Sequence, residues 1–168
     1  NKTFAQGLNF VIEYRNKRSH NLIVWSPDEN YIWKPQNLDR TERKNLIVST
    51  NLPEIIAGMT FSGMLTRTKT KNLNSGKTLQ YVPEISATGM VRYTINDIQF
   101  ELQSKYVGER TYQAYNENFE LVDKALNPFQ NVTAGVHFII PAFKESLRFH
   151  IIAENLLNEN TAFDPDYP

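Results

Sequence analysis

The stretch SATGMVRYTINDIQFELQSKY, residues 86–106, decides the fold. Ala87, Gly89, Val91, Tyr93 and Ile95 alternate with Ser86, Thr88, Met90, Arg92 and Thr94. Beyond Asn96-Asp97, the residues Ile98, Phe100, Leu102 and Tyr106 alternate with Gln99, Glu101, Gln103 and Lys105. Period-two alternation puts successive side chains on opposite faces of a strand. An Asn-Asp pair between two such runs predicts a two-residue hairpin turn. Closing it at Ile95 and Ile98 pairs Tyr93 with Phe100 and Val91 with Leu102 on an apolar face. The same register pairs Arg92 with Glu101 on a polar face, so opposite charges and aromatics find cross-strand partners.

The pattern repeats outward. Val132, Ala134, Val136, Phe138 and Ile140 form an apolar face, followed after Pro141–Ser146 by Leu147, Phe149, Ile151 and Ala153. Pairing Ile140 with Leu147 sets Phe138 against Phe149 and His137 against His150. Toward the N-terminus, a first strand carries Phe4, Leu8, Phe10, Ile12 and Tyr14 on one face. Ala5, Gly7, Asn9, Val11 and Glu13 share the other. The polar run Asn16–Ser19 reads as a turn into a second strand, Leu22–Trp25. A third strand presents Leu46, Val48, Thr50 and Leu52. After Pro53-Glu54, a fourth presents Ile55, Ala57, Met59, Phe61, Gly63 and Leu65. The expectation is eight strands. Short turns fall near 16–19, 53–54, 96–97 and 141–146, and long polar links near 26–38, 67–84 and 107–130.

Regular short–long alternation is the signature of an outer-membrane barrel, with tight turns on one side and long loops on the other. Aromatics near the short-turn ends (Tyr14, Tyr93, Phe100, Phe138, Phe149) fit an interfacial girdle. The opposite faces carry Arg92, Glu101, His137, Arg148 and His150, which a watery lumen accepts and a dry core rejects. These five are read as lumen-facing.

Composition narrows the alternatives. The chain has 168 residues, 19.5 kDa, 18 basic and 18 acidic side chains, and no cysteine. One domain, or a piece of one, is the expectation. Zero net charge argues against a nucleic-acid partner. At 40% hydrophobic and 12% aromatic, the chain is too apolar for disorder. The absence of cysteine excludes disulfide scaffolds and Cys-ligated metal sites. The longest apolar run, Phe138–Phe143, contains a proline, so no transmembrane helix is expected. Membrane strands, only half apolar, are not excluded. The start, Asn1-Lys2-Thr3-Phe4, lacks an initiator methionine and a signal region. The end, Asp164–Pro168, reads as a loop, and the chain looks cut at both ends.

Several motifs resemble those of TonB-dependent outer-membrane receptors. Asn21-Leu22-Ile23-Val24-Trp25-Ser26-Pro27, followed by Trp33-Lys34-Pro35-Gln36-Asn37, is similar to a late-barrel strand and loop end. Leu79-Gln80-Tyr81-Val82-Pro83-Glu84 resembles that family's approach to a strand. Tyr106-Val107-Gly108-Glu109-Arg110, with Asn116 and Asn127, resembles an extracellular loop. Glu154-Asn155-Leu156-Leu157-Asn158 resembles the motif closing the penultimate strand. The motifs follow the family's order over nearly the whole chain. The departures are Lys44-Asn45-Leu46 in the third strand and a stop at Tyr167-Pro168, before the last strand. The plug domain, the TonB box and earlier strands are also missing.

The resemblance implies an all-β fold: an antiparallel up-and-down transmembrane β-barrel. Residues 1–168 would be a C-terminal segment, about eight strands of a larger, 22-stranded barrel. The parent protein would bind a scarce nutrient (siderophore, haem, cobalamin or oligosaccharide) and import it with TonB-derived energy. It would lie in the bacterial outer membrane, long loops extracellular and short turns periplasmic. Its partners would be membrane lipid and lipopolysaccharide, TonB through the absent plug, and a surface lipoprotein or other outer-membrane subunits. Two other readings remain: a small eight-stranded structural or adhesive barrel, or a soluble β-sandwich binding module.

No cofactor, resident metal or catalytic residue is expected. G-x-S-x-G, Walker and H-E-x-x-H motifs are absent from the sequence. Arg92 and Glu101 read as a lumenal ion pair. His137 and His150 have no apparent third ligand. The ligand-binding candidates are Trp25, Tyr31 and Trp33 around the first link, and Tyr112 and Tyr115, beside Phe119, in the third. Such aromatics either stack on a bulky ligand or pack the loops. Arg67, Lys69, Lys71 and Lys77 make the second link basic: a solvated loop, an attractor of anionic chelates, or a partner for lipopolysaccharide phosphates.

Overall fold

A computed structural model of the chain describes residues 7–27, 32–142 and 145–159. Among the described residues nine strands form: β1 (Asn9–Pro27), β2 (Trp33–Ile56), β3 (Met59–Asn72), β4 (Ile85–Ile95), β5 (Ile98–Val107), β6 (Arg110–Tyr115), β7 (Leu121–Leu126), β8 (Phe129–Ala142) and β9 (Glu145–Ala153). Seven make one antiparallel meander in the order β1-β2-β3-β4-β5-β8-β9, and β6-β7 form a separate two-stranded sheet. No helix occurs among the described residues, so none is long and apolar enough to cross a membrane.

The registers follow the alternation. Tyr93 pairs with Phe100, Val91 with Leu102, Arg92 with Glu101 and Ile95 with Ile98. Ile140 pairs with Leu147, Phe138 with Phe149 and His137 with His150.

The expected count of eight strands changes to seven in the main sheet. Asn16–Ser19 does not turn. Those residues pair with Lys44, Arg43, Glu42 and Thr41, and the expected first and second strands are one. Polarity there marks a strand that has left an apolar layer, since no glycine or proline obliges a reversal. The turn expected at Pro53-Glu54 lies instead at Ala57-Gly58, and Pro53 sits where the β2–β3 register shifts, between Leu52 and Ile56. Proline is tolerated at such an irregularity because no ladder donor is needed. The second link shortens, because β3 runs on to Asn72. The third contains the β6-β7 hairpin. Phe4, Ala5 and Asp164–Pro168 lie outside the described residues.

Following the registers across the sheet sorts the faces. One carries Phe10, Ile12 and Tyr14; Leu46 and Val48; Phe61 and Leu65; Val91 and Tyr93; Phe100, Leu102 and Tyr106; Val136 and Phe138; and Phe149 and Ile151. No described element covers it: Ile12 is 63% and Ile151 64% exposed. The other carries Asn9, Ser49, Ser62, Thr88 and Gln103, which line a depression with Val11, Met64 and Met90.

β4 and β5 have 11 and 10 residues, within the ~9–11 that cross a bilayer when tilted. β1 and β2 have 19 and 24, and their surplus lies toward Pro27 and Trp33, on the long-link side. The aromatic row is corrected at one position. Tyr93, Phe100, Phe138 and Phe149 stay near the short turns, the last two stacked at 5.1 Å. Tyr14, paired with Leu46, lies toward the long links because the turn that would have lowered it does not exist.

On the apolar face Gly63 and Gly89 oppose each other. The Phe61 ring lies over this gap: a Cβ on Gly63 would approach Phe61 Cζ to 3.1 Å. The ring restores the apolar surface that paired glycines forfeit.

Candidate functional site

The long-link side holds the most built structure. β3 ends at Asn72, whose Oδ1 accepts from the Asn74 N–H at 2.9 Å and the Ser75 N–H at 3.2 Å. The Asn72 N–H donates to the Lys77 carbonyl at 2.8 Å, and Gly76 takes φ +75. This Asx-type reversal sends the link back along β3, where the Leu79 N–H reaches Thr70 Oγ1 at 3.1 Å.

The link then docks on the β6-β7 hairpin. The Tyr81 N–H donates to the Thr111 carbonyl at 2.8 Å, with Tyr81 held at φ 59. Gln80 Nε2 donates to Gln113 Oε1 at 2.9 Å, and Gln113 Nε2 donates to Asp123 Oδ1 at 3.0 Å. The Tyr81 and Tyr112 rings meet at 6.1 Å.

Arg110 anchors this assembly. It is 3% exposed and pairs with Leu126 across the hairpin. Its guanidinium lies 5.1 Å from the Phe129 ring centroid, and Nη2 reaches the Asn127 carbonyl at 3.5 Å. Gly108 admits the hairpin's approach: a Cβ there would stand 2.7 Å from the Ile85 carbonyl oxygen, which accepts the Gly108 N–H. At the tip, Asn116 Oδ1 accepts from the Asn118 and Glu120 N–H groups, both at 2.9 Å. Asn155, after β9, takes φ 52 and exchanges hydrogen bonds with Glu159. The Glu159 carboxylate accepts the Gln130 N–H at 2.7 Å. The separated motif residues Tyr81, Gly108, Arg110, Asn116, Asn127 and Asn155 thus fix the loops at one end of the sheet.

Arg110→Ala removes the stacked cation and the hydrogen bond to Asn127. The hairpin is expected to lose about 1–3 kcal/mol of local stability. Hydrogen exchange at Thr111–Tyr115 should speed up accordingly, while exchange in β4 and β5 stays unchanged. Arg110→Lys should not restore protection, because an ammonium lacks the planar stacking surface.

The aromatic candidates separate. Tyr112 is 5% exposed, turned into the loop assembly with Leu126. Tyr115 is half-buried beside Leu121, and Phe119 is exposed at the tip. Trp25 is 63% exposed, opposite Pro35 on the extended β1–β2 arm. Tyr31 and the Trp33 side chain lie outside the described residues.

Arg92, Glu101, His137, Arg148 and His150 all come to the polar face, across β4, β5, β8 and β9. Arg92 Nε donates to Glu101 Oε2 at 2.7 Å. His137 Nδ1 and His150 Nδ1 are hydrogen-bonded, one donating and the other accepting, with rings at 75°. Gly135 makes room: a Cβ there would sit 3.3 Å from His137 Nε2. Among the described residues, no third His, Cys, Asp or Glu joins the pair in a metal-holding group.

No protein-family profile and no curated protein matches the chain. Solved structures do. A mutant form of the ferric enterobactin receptor PfeA of Pseudomonas aeruginosa superposes with a TM-score of 0.70 at 20% identity, over 92% of this chain and 24% of that one. The ferripyoverdine receptor of the Pseudomonas aeruginosa outer membrane, bound to ferripyoverdine, gives 0.66 at 13% identity, over 90% and 21%. Pseudomonas aeruginosa FpvA bound to a heterologous pyoverdine gives 0.60 at 12% identity, over 80% and 19%. The chain spans about a quarter or less of these structures. Its fold is that of a portion of a siderophore-receptor barrel.

Proposed function

We propose that residues 1–168 form a C-terminal stretch of barrel wall in a TonB-dependent outer-membrane receptor that imports a ferric siderophore. The observation that carries this reading is the uncovered apolar face of a sheet with the receptor-barrel fold. A soluble sandwich needs a second layer over that face, and about 2–4 kcal/mol hangs on each buried side chain of such a layer. In a bilayer the lipid supplies the layer. The long links would lie outside the cell and the short turns in the periplasm. The wall performs no covalent chemistry; TonB would act through a plug preceding these residues, and a surface lipoprotein remains a candidate partner.

In this reading Trp25 and Tyr115 contact the ligand, together with Tyr31 and Trp33, while Tyr112 holds the loop platform. Arg92, Glu101, His137, Arg148 and His150 line the lumen near the periplasmic end. The test uses the full-length parent in detergent, titrated with catecholate and hydroxamate ferric siderophores, haem and cobalamin. Binding of a ferric siderophore, with TonB-dependent uptake in cells, is expected. A parent that stays monodisperse in water without detergent overturns the membrane reading, and binding of haem or cobalamin alone overturns the substrate class. Trp25→Ala should weaken siderophore binding about tenfold, worth about 1.4 kcal/mol; unchanged affinity removes Trp25 from the site.

A further inference from the structure

Beyond the apolar band, the outward face of β1–β3 changes character within one residue pair. Leu46 pairs with Tyr14 and Arg67, and in the next outward row Lys44 pairs with Asn16 and Lys69. The following row is Arg18, Glu42 and Lys71, and the next joins His20 to Arg40. The unbroken β2–β3 register from Thr41 to Leu52 keeps these residues on the same face as Leu46 and Val48. Six cations, Arg18, Arg40, Lys44, Arg67, Lys69 and Lys71, therefore share a three-strand patch on a chain with 18 basic and 18 acidic residues.

The acidic residues do not neutralise it. Glu42 is the acid within the grid, contacted by Arg18 at 3.1 Å and Lys44 at 2.8 Å. Those cations, Lys44 foremost, hold its carboxyl below the usual carboxylate range. Glu84 pairs with Arg67 at 2.9 Å. Among the described residues, Lys69, Lys71 and Arg40 have no ion-pair partner. The patch measures roughly 10 Å across three strands and about 20 Å along them, from strand spacing and rise. Its first cation, Arg67, stands in the Tyr14 row and the others lie beyond it; in a bilayer this would be the depth where lipid headgroups replace acyl chains.

We propose that this patch binds the phosphates of lipopolysaccharide in the outer leaflet. Tyr14 and Leu46 would lie against the acyl chains, and Lys44, Arg67, Lys69 and Lys71 would meet the phosphorylated sugars. Lysines and arginines at a headgroup boundary attract anionic lipid in proportion to their number, and arginine adds bidentate phosphate contacts. The inference rests on the outer-membrane reading above and adds a site that neither transport nor the loop platform uses.

The experiment takes the full-length receptor in phosphatidylcholine nanodiscs titrated with bisphosphorylated lipid A. The quadruple variant Lys44→Gln, Arg67→Gln, Lys69→Gln, Lys71→Gln should bind lipid A at least about tenfold more weakly. Glu42→Gln, which leaves Arg18 and Lys44 uncompensated, should bind it more tightly. Dephosphorylated lipid A should not distinguish wild type from either variant, and millimolar inorganic phosphate should not compete. The heat-dependent gel shift of a folded barrel verifies that the exposed substitutions leave the fold intact. A quadruple variant that folds and binds lipid A as wild type does overturns the inference. So does an equal loss on phosphatidylglycerol, which would make the patch a general anionic surface. A receptor that never enters the nanodisc fails the membrane reading instead, a separate result.

Discussion

If the proposed outer-membrane reading holds, Leu102→Arg is expected to destabilise the barrel by about 2–4 kcal/mol, the cost of a cation on the lipid face near the bilayer centre. Leu102 lies on the apolar face, between Phe100 on the short-turn side and Tyr106 on the long-link side. Its neighbours across the sheet are Val91 and Ala134, neither of which can pair with a guanidinium. Gln103, one residue on, faces the polar side between Met90 and Thr133. Gln103→Arg should therefore change stability by less than about 0.5 kcal/mol, as surface changes do. The measurement is urea unfolding of the full-length receptor from lipid vesicles. A sheet buried on its polar side would give the reverse order. Equal, small effects would mean that neither face meets lipid.

The second large effect belongs to a turn. Gly58 takes φ +79, and a Cβ there would stand 2.2 Å from the Thr94 carbonyl oxygen. The Gly58 carbonyl also accepts the Thr94 N–H at 2.8 Å, joining the β2–β3 turn to the end of β4. Gly58→Ala pays about 1–2 kcal/mol for the left-handed backbone. It must also displace a backbone oxygen that has no room to yield, and so loses about 1 kcal/mol of hydrogen bond. A total of about 2–3 kcal/mol follows. Gly76→Ala is the control, because Gly76 has a similar φ, +75, yet its Cβ would meet only Lys71 Cε at 3.9 Å. Its cost should stop near the backbone contribution alone. If both alanines cost the same, the contact with Thr94 contributes nothing and the turns are independent.

The expected turns also show where reading by residue type works. Asn96-Asp97 was legible because a reversal there lets every neighbour pair, and Asn96 does adopt φ 50. Asn16–Ser19 looked equally polar but continues as strand, because β2 supplies partners for all four residues. Polarity reports the solvent around a segment, and a strand that runs past the apolar band meets water without turning. Pro53 misled for a related reason. It removes a donor, which a local register shift absorbs as readily as a turn does.

The candidate site was legible unevenly. Arg92–Glu101 and His137–His150 followed from alternation and one turn each. Arg110 had no signal beyond its motif, since burial of a guanidinium against Phe129 depends on residues 19 positions apart meeting in space. Tyr112 and Tyr115 are three residues apart on β6 and so on opposite faces; the face that meets Tyr81 buries the first, and the second stays half-exposed.

By itself the sequence determined the strand class, the two faces and the registers of the β4–β5 and β8–β9 hairpins, because a side-chain period of two is a local property of the backbone. Only the tertiary structure decided that the first two runs are one strand and that the third link folds into its own hairpin. It also placed Lys44, Arg67, Lys69 and Lys71 together beyond the apolar band. Those outcomes depend on which partner lies alongside. Pairing between distant segments is a free-energy comparison over the whole sheet, which no single segment contains.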